Sequence, residues 1–559
     1  MTDILDTYPT TIPAALERAA IDFPHRGIGI FDGRGRQVER RTYAQFWENA
    51  KEVGARIATL GIEPREPVII ALPTSWEWLL AWWGVLLAGG WPVAASGAGA
   101  IAAAEAQFDK VDAIMKTLRC RRIISSEGFR QQALDHGNQW ANDRVLTVRE
   151  ILDLTPQPGF QPSMGHPEET AFLQLTSGST GLPRAVMISH LGAMHNAVAS
   201  SIVIGTPQGA PAHQWAQSMV SWLPLYHDMG LIGCLMLSIA TGLDVWMLRP
   251  PTFLARPKLW LQQLGSRGKT FTPSPNFGYQ LALERIRPGQ LDGLDLSKWK
   301  AALTGAEMIR PETVKAFCEA FEPHGFDPRA FRPCYGLAEA TLAVTCDTRG
   351  EGVRTLPKPE GADSGYGLAE IVSNGGPIDA TEVVIRALNG RKLPENCVGE
   401  VCVKGPGVFN GYFLDETATA GALVDGWLQT GDLGFLADSE LYLTGRTKDV
   451  LIVHGQNLMP DELEQLADGV TGGGGLMRSA AFSVAAGAQG ESVVLVVETS
   501  QTDSPSLQGL EQEIRSQIGR QIGLPLADVV FVKRGRIPRT SSGKVQRSEI
   551  RQIYIDGAL

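Results

Sequence analysis

The sequence predicts an α/β protein with a large N-terminal domain of parallel sheets covered by helices. That domain carries a small β-rich subdomain, and a small α+β domain follows at the C-terminus. Three observations lead there. First, short apolar stretches (Pro67–Leu72, Arg122–Ser125, Met219–Leu223, Asp244–Leu248) alternate with helical patterns such as Tyr43–Leu60 and Pro311–Phe321. Each stretch is brief and bounded by turn residues, as a strand buried on both faces should be. Alternation of such strands with helices implies parallel sheets. Second, Gly405–Gly411 and Glu440–Gly445 read as hairpins of a β-rich region. Third, the pattern changes near Arg446. Beyond it come a strand (Asp449–Val453), a helix (Asp461–Asp468) opened by Pro460, a Gly472–Gly475 turn and paired strands (Ala480–Val484, Ser492–Thr499). A helix (Ser504–Ile522) and a last strand (Asp528–Val532) complete it. Proline at the first helical position costs no hydrogen bond, and the piece has the size of one small domain. The division is 1–446, a hinge at 447–449, and 450–559. No internal repeat is present.

Composition narrows the function. The 559 residues include 60 Asp and Glu against 50 Lys and Arg, a formal charge of −10. An acidic surface argues against a nucleic-acid partner, which needs a basic face to neutralise phosphates. The seven cysteines form no CxxC pair, so they read as reduced thiols of a cytoplasmic protein, with no zinc site. Any metal would be a hard ion such as Mg2+ arriving with a nucleotide. The N-terminus lacks a basic stretch followed by an apolar run and is not read as a signal peptide. The uncharged run Trp78–Ala104 is long enough to cross a bilayer, but Gly89, Gly90 and Pro92 interrupt it. A buried helix, a tight turn and a buried strand account for it better.

The strongest chemical signal is Thr176-Ser177-Gly178-Ser179-Thr180-Gly181-Leu182-Pro183-Arg184, directly after the apolar strand Ala171–Leu175. Glycines let the chain turn sharply, and successive N–H groups in such a turn make a concave anion site. Four hydroxyls and the Arg184 guanidinium add donors, which suits a polyphosphate. It is not a Walker loop: GxxxxGK[ST] is absent, and Gly268-Lys269-Thr270 has Gln263 where the first glycine belongs.

This loop resembles the phosphate loop of the adenylate-forming superfamily, which includes acyl-CoA ligases, firefly luciferase and peptide-synthetase adenylation domains. Arg184-Ala185 stands where the family usually has Lys-Gly; arginine keeps the charge and adds forked geometry. Further strings match in the family's order. Gly305-Ala306-Glu307 resembles the strand end that borders the adenine. In Tyr335-Gly336-Leu337-Ala338-Glu339 the resemblance implies a tyrosine packed on adenine and Glu339 holding Mg2+. It implies that Asp432, in Thr430-Gly431-Asp432, takes the ribose hydroxyls, and that Arg446, in Gly445–Asp449, also reaches the ribose while Lys448 sits at the pivot. Pro538–Lys544 resembles the loop that inserts the catalytic lysine, Lys544. Taken singly, Asp432 is a turn residue, Glu339 a solvated helix residue and Lys544 a tail lysine. Six motifs in order, spread over nearly the whole chain, are not met by chance.

The finer resemblance is to the fatty acyl-AMP ligases, carried by Trp222–Gly230, Pro273–Phe277 and Tyr335–Leu342. That branch has an insertion after the glutamate motif, for which Val344–Ser373 is the candidate, shorter than usual. The resemblance implies attack of a fatty-acid carboxylate on the α-phosphorus of ATP, with pyrophosphate leaving. A carboxylate is already ionised and needs no general base, so the work is positioning and charge neutralisation. His227 is the candidate for lining the carboxylate's entry, with a structural histidine as the other reading. Trp222, Met229, Phe277 and Tyr279 are expected to wall the acid tunnel, with Gly305 at its head. The acceptor is expected to be the phosphopantetheine thiol of a separate acyl carrier protein; free CoA is the alternative. A degenerate nucleotide-binding module would have lost Lys544 or Glu339, and both are present.

Overall fold

A computed structural model describes residues 7–96, 104–176, 183–205, 216–357, 359, 370–387, 389–453, 456–471, 478–485, 491–501, 503–539 and 544–559. The larger of its two main sheets has nine strands. In spatial order they are Gly376–Pro377, Ala343–Cys346, Phe331–Gly336, Trp299–Gly305, Thr270–Pro275, Ser218–Ser221, Asp244–Met247, Gly27–Phe31 and Gln37–Thr42. From Phe331–Gly336 to Gly27–Phe31 every pairing is parallel, and the strands beyond on either edge run antiparallel. The second sheet has six strands, Val145–Thr147, Arg122–Ser125, Pro67–Ala71, Trp91–Ala94, Thr170–Leu175 and Ala185–Ser189. It is parallel except for the last pair.

The uncharged run resolves as expected. Ser75 caps the helix Trp76–Leu87 by accepting from the Trp78 N–H, and every residue of that helix except Glu77 is buried. Gly89 then turns at φ +87, and Trp91–Ala94 enters the second sheet. Trp78, Trp82 and Trp83 join Ile28 of one sheet and Val68 and Ile70 of the other in a single core. Such a helix, apolar on all sides, is stable only between two covering layers. No helix among the described residues is long and apolar enough to cross a membrane.

A separate antiparallel sheet links Glu382–Arg386, Gly399–Lys404, Trp427–Ala437, Leu423–Val424 and Glu440–Arg446. After it, Ser479–Ala485 and Glu491–Thr499 pair antiparallel and Leu526–Lys533 joins in parallel. The helices Pro460–Val470, Ser504–Ile522 and Arg547–Ile555 accompany these strands. Their two clusters of buried residues draw only on residues from 451 onward. Two ion pairs join this region to the large sheet's helices, Arg310–Asp468 at 3.1 Å and Arg478–Glu284 at 3.3 Å.

His190 ties the first helix to the second sheet, since its buried Nδ1 accepts the Ile12 N–H at 3.3 Å. Burial pushes its pKa down to about 4, with Glu169 opposing. The sign follows. Above pH 6.5 both folded and unfolded states hold a neutral imidazole. Between 6.5 and 4 the unfolded chain takes a proton that the folded one refuses. Stability is therefore lost as pH falls through that window, by about 3 kcal/mol. Denaturation of wild type and His190→Gln from pH 7 to 4 should show this loss in the wild type alone; parallel curves would exclude it.

Candidate functional site

The parallel strands of the large sheet deliver their carboxyl ends to one place, where open α/β sheets bind ligands. A cavity of about 1290 Å³ lies there. Thr176, Arg184, His227, Gly305, Ala306, Glu307, Tyr335, Gly336, Glu339, Asp432, Arg446 and Lys544 all line it. These are all the candidate residues that fall within the described part of the chain. Ser177, Gly178, Ser179, Thr180 and Gly181 lie outside the described residues. The ends of their loop are fixed, because the Thr176 N–H donates to the Arg184 carbonyl at 2.9 Å and Leu175 pairs with Ala185.

Backbone geometry explains several residue choices. A Cβ on Gly305 would come within 2.6 Å of the Cys334 carbonyl, and one on Gly336 within 1.8 Å of the Leu342 carbonyl. Only glycine permits these approaches. Ala306 sits at φ +68, an unfavourable conformation for a residue with a Cβ and one that recurs at functional sites. It turns Glu307 back, so that its carboxylate accepts the Phe277 N–H at 2.6 Å. Burial raises the Glu307 carboxyl above its usual range.

Two polar chains cross the cavity. In the first, Tyr335 OH donates to Asp432 Oδ2 at 2.6 Å and Arg446 Nε donates to Asp432 Oδ1 at 2.5 Å. Asp432 and Arg446 stand opposite each other on the paired strands Trp427–Ala437 and Glu440–Arg446. In the second, Tyr412 OH donates to Glu339 Oε1 at 2.7 Å, while the Arg184 guanidinium stacks 5.2 Å from the Tyr412 ring and 3.8 Å from Asp415. Tyr412 is a cavity residue that the sequence reading missed. Its signal was faint: a tyrosine after Gly411, whose neighbours Asn410 and Phe413 hydrogen-bond to Met187 and Ala185.

Lys544 reaches the cavity from the C-terminal region. Burial lowers its pKa and the Arg446 charge adds to this, while Asp228, Asp432 and Glu307 oppose. A cation held among three carboxylates beside a second cation is placed to meet incoming anionic charge.

The expected tunnel wall needs correction. Met229 and Gly305 border the cavity, but Trp222 stacks on Phe253 at 4.0 Å, with Phe277 edge-on to it at 5.5 Å. Tyr279 packs among Trp260, Trp299, Phe317 and Phe331. These aromatic rings build core between helices and sheet. The apolar lining comes instead from Gly233, Leu237, Leu303, Leu342 and Ala343. Gly233 and its neighbours form a π-helical turn, Leu231–Met236, a widened turn frequent at functional sites and not visible in residue pattern.

The fold thus gathers a guanidinium pair, a lysine, carboxylates and tyrosine hydroxyls around one cleft, and comparison with known proteins gives the family. The AMP-binding enzyme family matches residues 16–413; the chain belongs to that family. It is 33% identical over 585 residues to the long-chain-fatty-acid–AMP ligase FadD26 of Mycobacterium marinum, covering 97% of both chains. A solved structure from studies of fatty acyl-adenylate ligases of E. coli and L. pneumophila superposes with a TM-score of 0.86 at 30% identity, covering 99% of this chain and 98% of that one. A fatty acyl-adenylate ligase from L. pneumophila in complex with acyl adenylate and pyrophosphate gives 0.73 at 29%, covering 100% and 98%.

Proposed function

We propose that the protein is a fatty acyl-AMP ligase that activates a fatty acid with ATP, releases pyrophosphate, and passes the acyl group to the phosphopantetheine thiol of a separate acyl carrier protein. The observation that carries this reading is the convergence of the twelve described candidate residues, from both the N-terminal and C-terminal regions, on one cavity. Tyr335 packs on the adenine, with Gly305, Ala306 and Glu307 along its edge. Asp432, already bonded to Arg446, accepts the ribose hydroxyls. The loop from Thr176 to Arg184 takes the leaving pyrophosphate, and Lys544 neutralises charge between carboxylate and α-phosphate. His227 lines the carboxylate's entry, and the apolar lining around Leu237, Leu303 and Leu342 receives the acyl chain.

Glu339 suits a magnesium ion. One carboxylate oxygen is taken by Tyr412, and the other side of the group borders the cavity. Among the described residues there is no cluster of three or more His, Cys, Asp or Glu that would hold a metal alone. Mg2+ commonly binds through one or two carboxylates together with substrate phosphates. When bound, it would shield the phosphate charges. Residues 447–449 serve as the hinge between 1–446 and 450–559, with Lys448 as the pivot that absorbs the φ/ψ change between half-reactions.

Two cationic regions otherwise suited to a CoA phosphate have other uses. Arg310 is paired with Asp468, and Lys533–Arg536 forms the approach to the Lys544 loop. This favours a carrier protein over free CoA. Purified protein with ATP, Mg2+ and fatty acids of graded length should release pyrophosphate and accumulate acyl-AMP with free CoA, and lose it to a phosphopantetheinylated carrier. Fast, saturable acyl-CoA formation would make it an acyl-CoA ligase, and no turnover with any fatty acid would remove the substrate class.

A further inference from the structure

The Asp228–His227 pair has a geometry that adenylation does not require. His227 Nδ1 lies 2.6 Å from Asp228 Oδ1. The carboxylate has no proton to give, so this contact is a hydrogen bond only when Nδ1 carries the proton. The Met229 N–H is 2.7 Å from that same carboxylate oxygen and 3.3 Å from Nδ1. The carboxylate satisfies it, and Nδ1 is left free to donate. Asp228 therefore fixes the neutral imidazole as the tautomer whose lone pair is on Nε2. Among the described residues Nε2 has no hydrogen-bond partner, and His227 and Asp228 both border the cavity. Burial raises the Asp228 carboxyl, but the charges of His227 and Lys544 leave it below its usual range. It is thus an anion able to support an imidazolium beside it.

The two half-reactions differ in what they ask of such a pair. A carboxylate attacks ATP already ionised. A pantetheine thiol is only a few per cent thiolate at pH 7, so acyl transfer is the step that gains from a base. Three other carboxylates on the cavity wall are engaged elsewhere. Glu307 accepts from Phe277, Glu339 from Tyr412, and Asp432 from Tyr335 and Arg446; Lys544 is a cation.

We infer that His227 is the general base of acyl transfer and that Asp228 is its positioning residue. This rests on the reading of the enzyme as one that hands its acyl group to a thiol. His227 Nε2 takes the proton from the incoming S–H as the sulfur lone pair forms the C–S bond. The C–O bond to phosphate breaks, and AMP leaves with that electron pair. The imidazolium, held by the Asp228 carboxylate, then returns its proton to water.

The test separates this from adenylation by supplying ready-made acyl-adenylate to the full-length enzyme. Transfer is measured to pantetheine and to an acidic aryl thiol that is already ionised. His227→Ala should slow transfer to pantetheine by about 10²–10⁴-fold, the usual contribution of a positioned base. It should slow transfer to the aryl thiol far less, and imidazole in the buffer should restore part of the pantetheine rate. Asp228→Asn keeps the side-chain shape but removes the charge that stabilises the imidazolium. Its transfer to pantetheine should then fall well below wild type while transfer to the ionised aryl thiol falls far less. Equal losses with both thiols in either variant, or a wild type that acylates neither thiol, would overturn the assignment. Absence of pyrophosphate release from ATP and fatty acids would instead defeat the ligase reading, and this transfer assay does not depend on that step.

Discussion

Lys544→Ala should lower acyl-AMP formation by at least about 10²–10³-fold while ATP still binds. That is the usual cost of removing one preorganised donor from a transition state. The structure supplies the reason for preorganisation. Lys544 enters the cavity from the C-terminal region, where burial and the Arg446 charge lower its pKa and three carboxylates, Asp228, Asp432 and Glu307, oppose that. Its ammonium is thus already in the cavity before charge develops on the α-phosphate. Lys544→Arg should recover little, because the guanidinium is a planar fork with different reach. The checks are pyrophosphate release under saturating fatty acid and calorimetric ATP binding. Near-normal pyrophosphate release by Lys544→Ala would take the residue out of the reaction. Loss of ATP binding would make it a binding residue instead.

Much of this architecture was legible because its signals are local. Arg122–Ser125 and Pro311–Phe321 have the bounds read from pattern, since a short strand with an Ile-Ile centre flanked by polar residues, and a proline-opened amphipathic run, each leave one solution. The paired strands near Ala480 and Ser492 were equally clear, as nearly continuous apolar runs that pair antiparallel. The site was legible for a different reason: its residues occur in short strings whose order mirrors the strands that deliver them. What was not legible depends on three-dimensional neighbours. Trp222, Phe277 and Tyr279 are apolar residues next to site motifs, but Trp222 follows the strand Ser218–Ser221 and the other two lie on the helix Asn276–Arg285; their rings pack on Phe253, on Trp222 and on Trp260 respectively, partners that sequence neighbourhood does not reveal. Tyr412 reaches Glu339 from 73 residues away, through backbone bonds to the strand Ala185–Ser189 that no periodicity encodes. The antiparallel pairing of Thr170–Leu175 with Ala185–Ser189 was hidden because the motif between them dominated the reading.

Arg547→Ala should destabilise the C-terminal region by about 3–5 kcal/mol, the cost of breaking a buried pair by removing one partner. Arg547 opens the last helix, Arg547–Ile555, three residues after Lys544. Its Nε and Nη2 grip both oxygens of Glu464 at 2.7 and 2.6 Å, and it also reaches Asp461 at 2.8 Å and Asp449 at 3.3 Å. The Glu464 side chain is fully buried; its one other donor is the Ala481 N–H at 2.9 Å. Without the guanidinium this carboxylate must either stay charged in the core or take up a proton. Burial already raises its pKa even with Arg547 present, so the variant escapes by protonation, and its deficit should be smaller at pH 5 than at pH 8. The same guanidinium ties the segment after Lys448, through Asp449, to the start of the helix behind Lys544. Acyl-AMP formation should therefore fall along with stability, because the lysine loses the support that aims it. Replacing both partners, Arg547→Met with Glu464→Leu, removes the unpaired charge and should recover most of the stability but not the activity, since Asp449 remains untied. Denaturation curves and pyrophosphate release on the three proteins decide this. A single variant within about 1 kcal/mol of wild type, the level of an exposed pair, would reduce the cluster to a surface contact, and full activity in the double variant would free Lys544 from any dependence on it.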